Sequence, residues 1–147
     1  MKFEGNFVVS APPAKVYSLL TDPNKISGAI PDTKKLEVKD PSSFYTEFTV
    51  KLGFFNGVIK MNFTYKNLIP NEQIQLIGRG SGVQSTVDLS ITLHVVASDG
   101  GSKVDWVADL SVGGLVAGIG GRIMDSFAKQ KIDQIVEGLK TVLAESP

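Results

Sequence analysis

The sequence predicts an α+β fold in which a curved antiparallel sheet of about seven strands wraps one long C-terminal helix. Three observations carry this. Alternating polar and apolar runs follow one another from residue 34 to residue 112 with short turns between them, the pattern of an antiparallel meander. The longest helical periodicity comes last, between Asp109 and Leu143. A single strand-like run opens the chain and is followed by two short helical stretches.

In chain order, Lys2 to Val9 alternates around Phe3, Gly5, Phe7 and Val9 and reads as a strand. Pro12 and Pro13 stop it and open a helix over Ala14 to Leu20, proline being favoured in a first helical turn. Thr21-Asp22-Pro23-Asn24 ends that helix and caps a second over Lys25 to Ala29. Six further strands are expected: Lys34–Lys39, Phe44–Leu52, Val58–Leu68, Gln73–Gly80, Val87–Val95 and Lys103–Val112. Gly78, Gly80 and Gly82 suggest a bend or bulge near the end of the fourth of these. One face of such a meander needs a cover, and only the C-terminal helix is long enough to supply it. This is the helix-grip architecture.

The helix itself has two halves. Ile132, Ile135, Leu139 and Val142 continue a stripe begun by Ile119, Ile123 and Phe127, one apolar face at helical spacing. The first half carries Gly113, Gly114, Gly118, Gly120 and Gly121, and each interior helical glycine costs about 0.8–1 kcal/mol relative to alanine. A frayed start or close packing against a strand explains them. So does space left beside the helix for a ligand, with Gly114, Gly118 and Gly121 expected to provide it.

Lys+Arg and Asp+Glu are both 15 and there is no cysteine. A net charge of zero supplies no basic footprint for nucleic acid and no polybasic membrane patch. Without cysteine, disulfides, thiolate metal sites and thiol nucleophiles are excluded. The N-terminus lacks the apolar core of a signal peptide, and Leu110 to Met124 is too short and too broken to cross a bilayer. The expectation is one cytoplasmic domain over residues 1–147, with no cofactor and at most transient membrane contact.

The opening segment, with Ala11-Pro12, Val16, Leu20, Asp22-Pro23 and Ile30-Pro31, and the late segment, with Ala108-Asp109, Val112-Gly113-Gly114-Leu115, Gly118, Gly120, Arg122-Ile123 and Ala128, carry a resemblance. The first is shared across the START-like (SRPBCC, Bet v 1-like) superfamily. The second resembles the family of the carbon monoxide dehydrogenase G subunit (CoxG), and the likeness covers nearly the whole chain. Asp32 departs from it, standing where that pattern has glycine. The resemblance implies a helix-grip domain that serves a molybdenum hydroxylase of the CO dehydrogenase type, by membrane recruitment, maturation or electron-carrier delivery.

Catalytic groups are sparse. The one histidine, His94, sits in strand phase opposite Leu93 and Val95 with no partner in sequence for a metal site or triad. Asp88, Asp105 and Asp109 have no obvious second carboxylate, and Asp109 is placed to cap the helix. Gly78-Arg79-Gly80-Ser81-Gly82 lacks the Lys-Ser/Thr end of a phosphate loop.

Apolar positions remain. Phe48, Val50, Ile59, Met61, Phe63, Leu76, Trp106, Ala108 and Leu110 on strands, and Leu115, Gly118, Ile119, Ile123 and Phe127 along the helix pattern, are expected to converge between sheet and helix. Tyr65, Trp106 and Arg122 are expected to place polar atoms near the mouth. A pocket of this kind suits an apolar ligand such as a quinone or lipid, held by a non-enzymatic binding protein. A polyketide cyclase or hydrolase using the same cavity, and an assembly factor acting by surface contacts, are the alternatives.

Overall fold

A computed structural model describes residues 1–30, 32–52, 55–119 and 121–145, with backbone only at Leu52, Phe55, Val116, Ile119 and Glu145. Strand β1 (Lys2–Val9) leads into helices α1 (Pro13–Leu20) and α2 (Pro23–Ile26) and a 3-10 turn at Ser27–Ala29. Strands β2 (Thr33–Asp40), β3 (Ser43–Leu52), β4 (Phe55–Ile69), β5 (Gln73–Gly82), β6 (Ser85–Ser98) and β7 (Gly101–Gly114) follow. A second 3-10 turn (Leu115–Ile119) precedes helix α3 (Gly121–Glu145).

The seven strands form one antiparallel sheet in the order β1-β7-β6-β5-β4-β3-β2. Consecutive strands pair because their turns are short, while α1 and α2 carry the chain from one sheet edge to the other. Local chemistry starts these helices. Pro13 and Pro23 occupy first-turn positions, and the Asp22 carboxylate accepts from the Asn24 amide at 2.9 Å, satisfying one otherwise orphaned donor. Val16 and Leu20 of α1 and Ile26 of α2 are buried in the core between the helices and the sheet.

The C-terminal region corrects the sequence reading. The last strand, expected over Lys103–Val112, runs on to Gly114, so the helical spacing that begins at Asp109 is strand up to that point: Asp109 pairs with Lys2 and Ser90, and Gly113 with Thr86. Asp109 therefore caps no helix. Alternation and the pairing of β7 with β6 along its whole length outweigh a helical spacing that begins inside a strand. Gly114 ends the strand at φ +83°, where a Cβ would also strike the backbone of Gln84. The buried seam of α3 runs through Met124, Ala128, Ile132, Leu139 and Leu143. Ile123, expected on the apolar stripe, is 55% exposed.

The expected bulge in β5 is absent. Gly78 and Gly80 keep continuous register with Phe63 and Met61 on one side and with Leu89 and Val87 on the other. Within α3, close packing by glycine occurs at Gly138 and not at Gly121. A Cβ at Gly138 would lie 2.9 Å from Ala29 Cα, so α3 touches the first 3-10 turn backbone to backbone.

An apolar cavity between sheet and helix

The concave face of the sheet is set by strict alternation. One row of paired positions runs Phe44, Phe63, Gly78, Leu89, Leu110, and the next runs Met61, Gly80, Val87, Val112. At the two glycines the missing side chains are replaced by neighbours. Phe63 Cε1 lies 2.7 Å and Met61 Cε 2.9 Å from where a Cβ of Gly78 would stand. Phe63 also stacks on Phe44 with centroids 5.0 Å apart and planes 17° apart. These large side chains lie down along the sheet instead of standing up toward α3. Between them and α3 is a cavity of about 170 Å³.

Toward Val112 the concave face is less completely covered. Leu93, Val104 and Ala108 are buried, while Val87, Leu89, Ile91, Leu110 and Val112 remain half-buried. Met124, Phe127, Ala128, Lys131, Ile132, Ile135 and Leu139 of α3 form the opposite wall, and Ile26 and Ile30 close one side. Lys131 is the one charged residue and Ser85 the one other polar residue among the described side chains of the lining. Ser85 Oγ donates to the Val83 carbonyl at 3.0 Å.

The β5–β6 connection is a two-residue turn at Val83-Gln84, with φ values of 52° and 53°. Such a turn normally takes Asn-Gly, and a β-branched residue at positive φ is an outlier. Val83 is held there by packing over Gly57, where a Cβ would collide with its methyl, and it lines the cavity. Backbone strain of this kind costs on the order of 1–3 kcal/mol and collects at ligand sites.

Half of the residues expected at the site stand in this lining: Phe48, Val50, Ile59, Met61, Phe63, Leu76, Leu110 and Phe127. The others do not. Trp106 and Ala108 share the concave face but are packed solid, and the Trp106 ring lies against Gly5, 2.8 Å from a Cβ built there. Its Nε1 is buried with no hydrogen-bond partner among the described residues, not at a mouth. Tyr65 is buried and donates to the Leu20 carbonyl at 2.8 Å, tying β4 to the end of α1. Burial and, secondarily, the charge of Asp22 push its phenol well above the ordinary range.

Leu115, Gly118, Arg122 and Ile123 are exposed and outside the lining. A Cβ at Gly118 or Gly121 would meet nothing within 4 Å, so these glycines relieve no contact. Gly114 serves the strand end. The Ile119 side chain and Gly120 lie outside the described residues. The sequence reading missed the lining contributions of Val83, Val87, Leu89, Ile91 and Val112, although their period-2 pattern was available. It also missed Met124 and Lys131, although Lys131 lies one helical turn from both Phe127 and Ile135.

His94 is exposed, on the strand face away from Leu93. Among the described residues no group of acidic and histidine side chains is arranged to hold a metal ion. No helix among them is long and apolar enough to cross a membrane.

A curved seven-stranded antiparallel sheet closed by a long C-terminal helix over an apolar cavity defines a START-like, Bet v 1-like fold. The family model for the G subunit of carbon monoxide dehydrogenase (CoxG) matches residues 5–144, and the chain belongs to that family. A comparison with curated proteins finds no match. Among solved structures it is similar to a conserved protein of Geobacillus kaustophilus, at 20% identity and TM-score 0.84 over 97% of this chain and 95% of that one. It is similar to a START superfamily protein of Mycobacterium smegmatis, at 15% identity and TM-score 0.66 over 97% and 96%. It is also similar to the Zhui aromatase/cyclase of Streptomyces sp. R1128, at 12% identity and TM-score 0.66 over 96% and 92%. At these identities the likenesses establish the fold.

Proposed function

We propose that this chain is a non-enzymatic binding protein that holds an apolar molecule, a quinone or lipid, beneath α3. The observation that carries the reading is the cavity of about 170 Å³ with its almost wholly aliphatic and aromatic lining. Burying a chain there gains roughly 0.8 kcal/mol per methylene, with no need for polar complementarity. Family membership supports a role beside a molybdenum hydroxylase of the CO dehydrogenase type, the bound molecule being a carrier delivered to or from that enzyme.

Two alternatives are weaker. A cyclase or hydrolase needs an acid, base or nucleophile facing its substrate. Among the described lining residues there is no carboxylate and no histidine, and Ser85 is turned to the Val83 carbonyl. An assembly factor acting through its surface has no use for a void, which forfeits packing contacts.

Organic extraction of protein purified from its native host, followed by mass spectrometry, tests the proposal. A chain-like apolar compound at near-stoichiometric amount is expected. Addition of a decyl-substituted benzoquinone to extracted protein is expected to raise the melting temperature, as any ligand of the native state does. An empty extract together with an unmoved melting temperature sinks the proposal in favour of surface contacts.

A further inference from the structure

We propose that Lys131, charge-compensated by Asp32, is the head-group anchor of the cavity. It selects apolar ligands that carry a neutral hydrogen-bond acceptor, such as a ketone, quinone or ester oxygen, over plain hydrocarbons and over free acids. The inference rests on the reading that the cavity binds a small molecule.

Lys131 lines the cavity yet keeps its side chain 27% exposed, so it stands at the boundary between the apolar interior and water. Its Nζ lies 2.6 Å from Asp32 Oδ2 and 5.5 Å from the ring centroid of Phe127, which is itself part of the lining. An ammonium group has three N–H donors in a compact head. With one spent on Asp32, the group retains donors for an oxygen arriving from the cavity.

Charge decides which oxygen. The Lys131–Asp32 pair sums to zero, so an anionic head would meet the Asp32 carboxylate as well as the ammonium, and would add an uncompensated charge to an apolar site. A carbonyl oxygen adds none. The plain alternative is that the pair is a surface salt bridge, a class whose contribution is about 0–1 kcal/mol. The lysine's place in the cavity wall, beside Phe127, weighs against that.

Three probes matched to a cavity of this size separate the possibilities: ethylbenzene, acetophenone and benzoate, titrated calorimetrically at neutral pH into the parent, Lys131→Met and Asp32→Asn. In the parent, acetophenone is expected to bind about tenfold tighter than ethylbenzene, the scale of one charge-assisted hydrogen bond net of desolvation. Benzoate is expected to bind no better than ethylbenzene. Lys131→Met keeps the stem and the wall, so ethylbenzene binding stays and the ketone preference disappears. Asp32→Asn leaves the ammonium uncompensated, and benzoate affinity rises about tenfold. A parent without ketone preference, or Lys131→Met retaining it, overturns the anchor while ethylbenzene binding preserves the cavity reading. No gain of benzoate in Asp32→Asn overturns the charge-compensation argument. Binding of none of the three to the parent removes the cavity reading and the anchor together.

Discussion

At the scale of single residues, two kinds of glycine look alike in the sequence and differ in space. Gly78 is filled by its neighbours, with Phe63 Cε1 2.7 Å and Met61 Cε 2.9 Å from an added Cβ. Gly118 faces open space. Gly78→Ala therefore pushes Phe63 and Met61 off the sheet and into the cavity. It is expected to cost about 1–3 kcal/mol, the range for overpacking, and to weaken binding of ethylbenzene. Gly118→Ala is expected to change stability by no more than about 0.5 kcal/mol, as surface substitutions do, with probe binding intact. Calorimetric melting and titration of both variants check this. A Gly118→Ala variant that loses binding, beside a Gly78→Ala variant that keeps it, reverses the assignment of the space from sheet to helix.

At the scale of elements, what is legible in the sequence follows period-2 alternation. β1 is readable to the residue, and the order and pairing of the other six strands follow from their short turns, each except the largely exposed edge strand β2 placing one face on the core and one in water. Helix α3 is legible in its second half, where Ile132 and Leu139 are buried as the spacing requires. Its start is not. Ile119 and Ile123 continue the helical spacing of Phe127 backwards by accident of composition, while the run of β7 past Val112 to Gly114 is fixed by pairing with Thr86 and Ser85 of β6, outside any local window. The consequence reaches the site: Leu115, Arg122 and Ile123, expected against the sheet, are exposed, and Met124 lines the cavity instead.

The contact of α3 with the first 3-10 turn carries an element-scale prediction. Replacing glycine inside a helix by alanine ordinarily stabilises by about 0.8–1 kcal/mol. At Gly138 the added methyl meets Ala29 Cα and O at 2.9 Å and Cβ at 3.0 Å, atoms of the turn itself that give way only if the two elements separate. The steric term is expected to win. Gly138→Ala should lower stability by about 1–2 kcal/mol net, a drop of roughly 2–8 °C in melting temperature for a chain of this size. A rise in melting temperature shows that helix propensity dominates and that the contact is softer than its distances.

At the scale of the whole molecule, the question is how a cavity of about 170 Å³ admits a chain-like ligand. Pockets that enclose drug-sized molecules run to about 300–1,000 Å³, so under the proposed function the cavity has to widen to take such a ligand. The two ends of α3 are held unequally. Its C-terminal half buries Ile132, Leu139 and Leu143 and meets Ala29 through Gly138. Its first half buries only Met124 and Ala128, its first turn exposes Gly121, Arg122 and Ile123, and Leu110 and Val112 of the cavity lining are only half-buried. The helix is therefore expected to swing about its C-terminal half, lifting residues 121–131 from the sheet. Regions with few buried contacts open at lower free energy than the core. Amide hydrogen exchange checks this directly: without ligand, 121–131 exchange faster than 132–143, and the decyl-substituted benzoquinone slows exchange in the first segment far more than in the second. Equal exchange in the two halves, or protection gained mainly near Gly138, means the ligand enters by some route other than the start of α3.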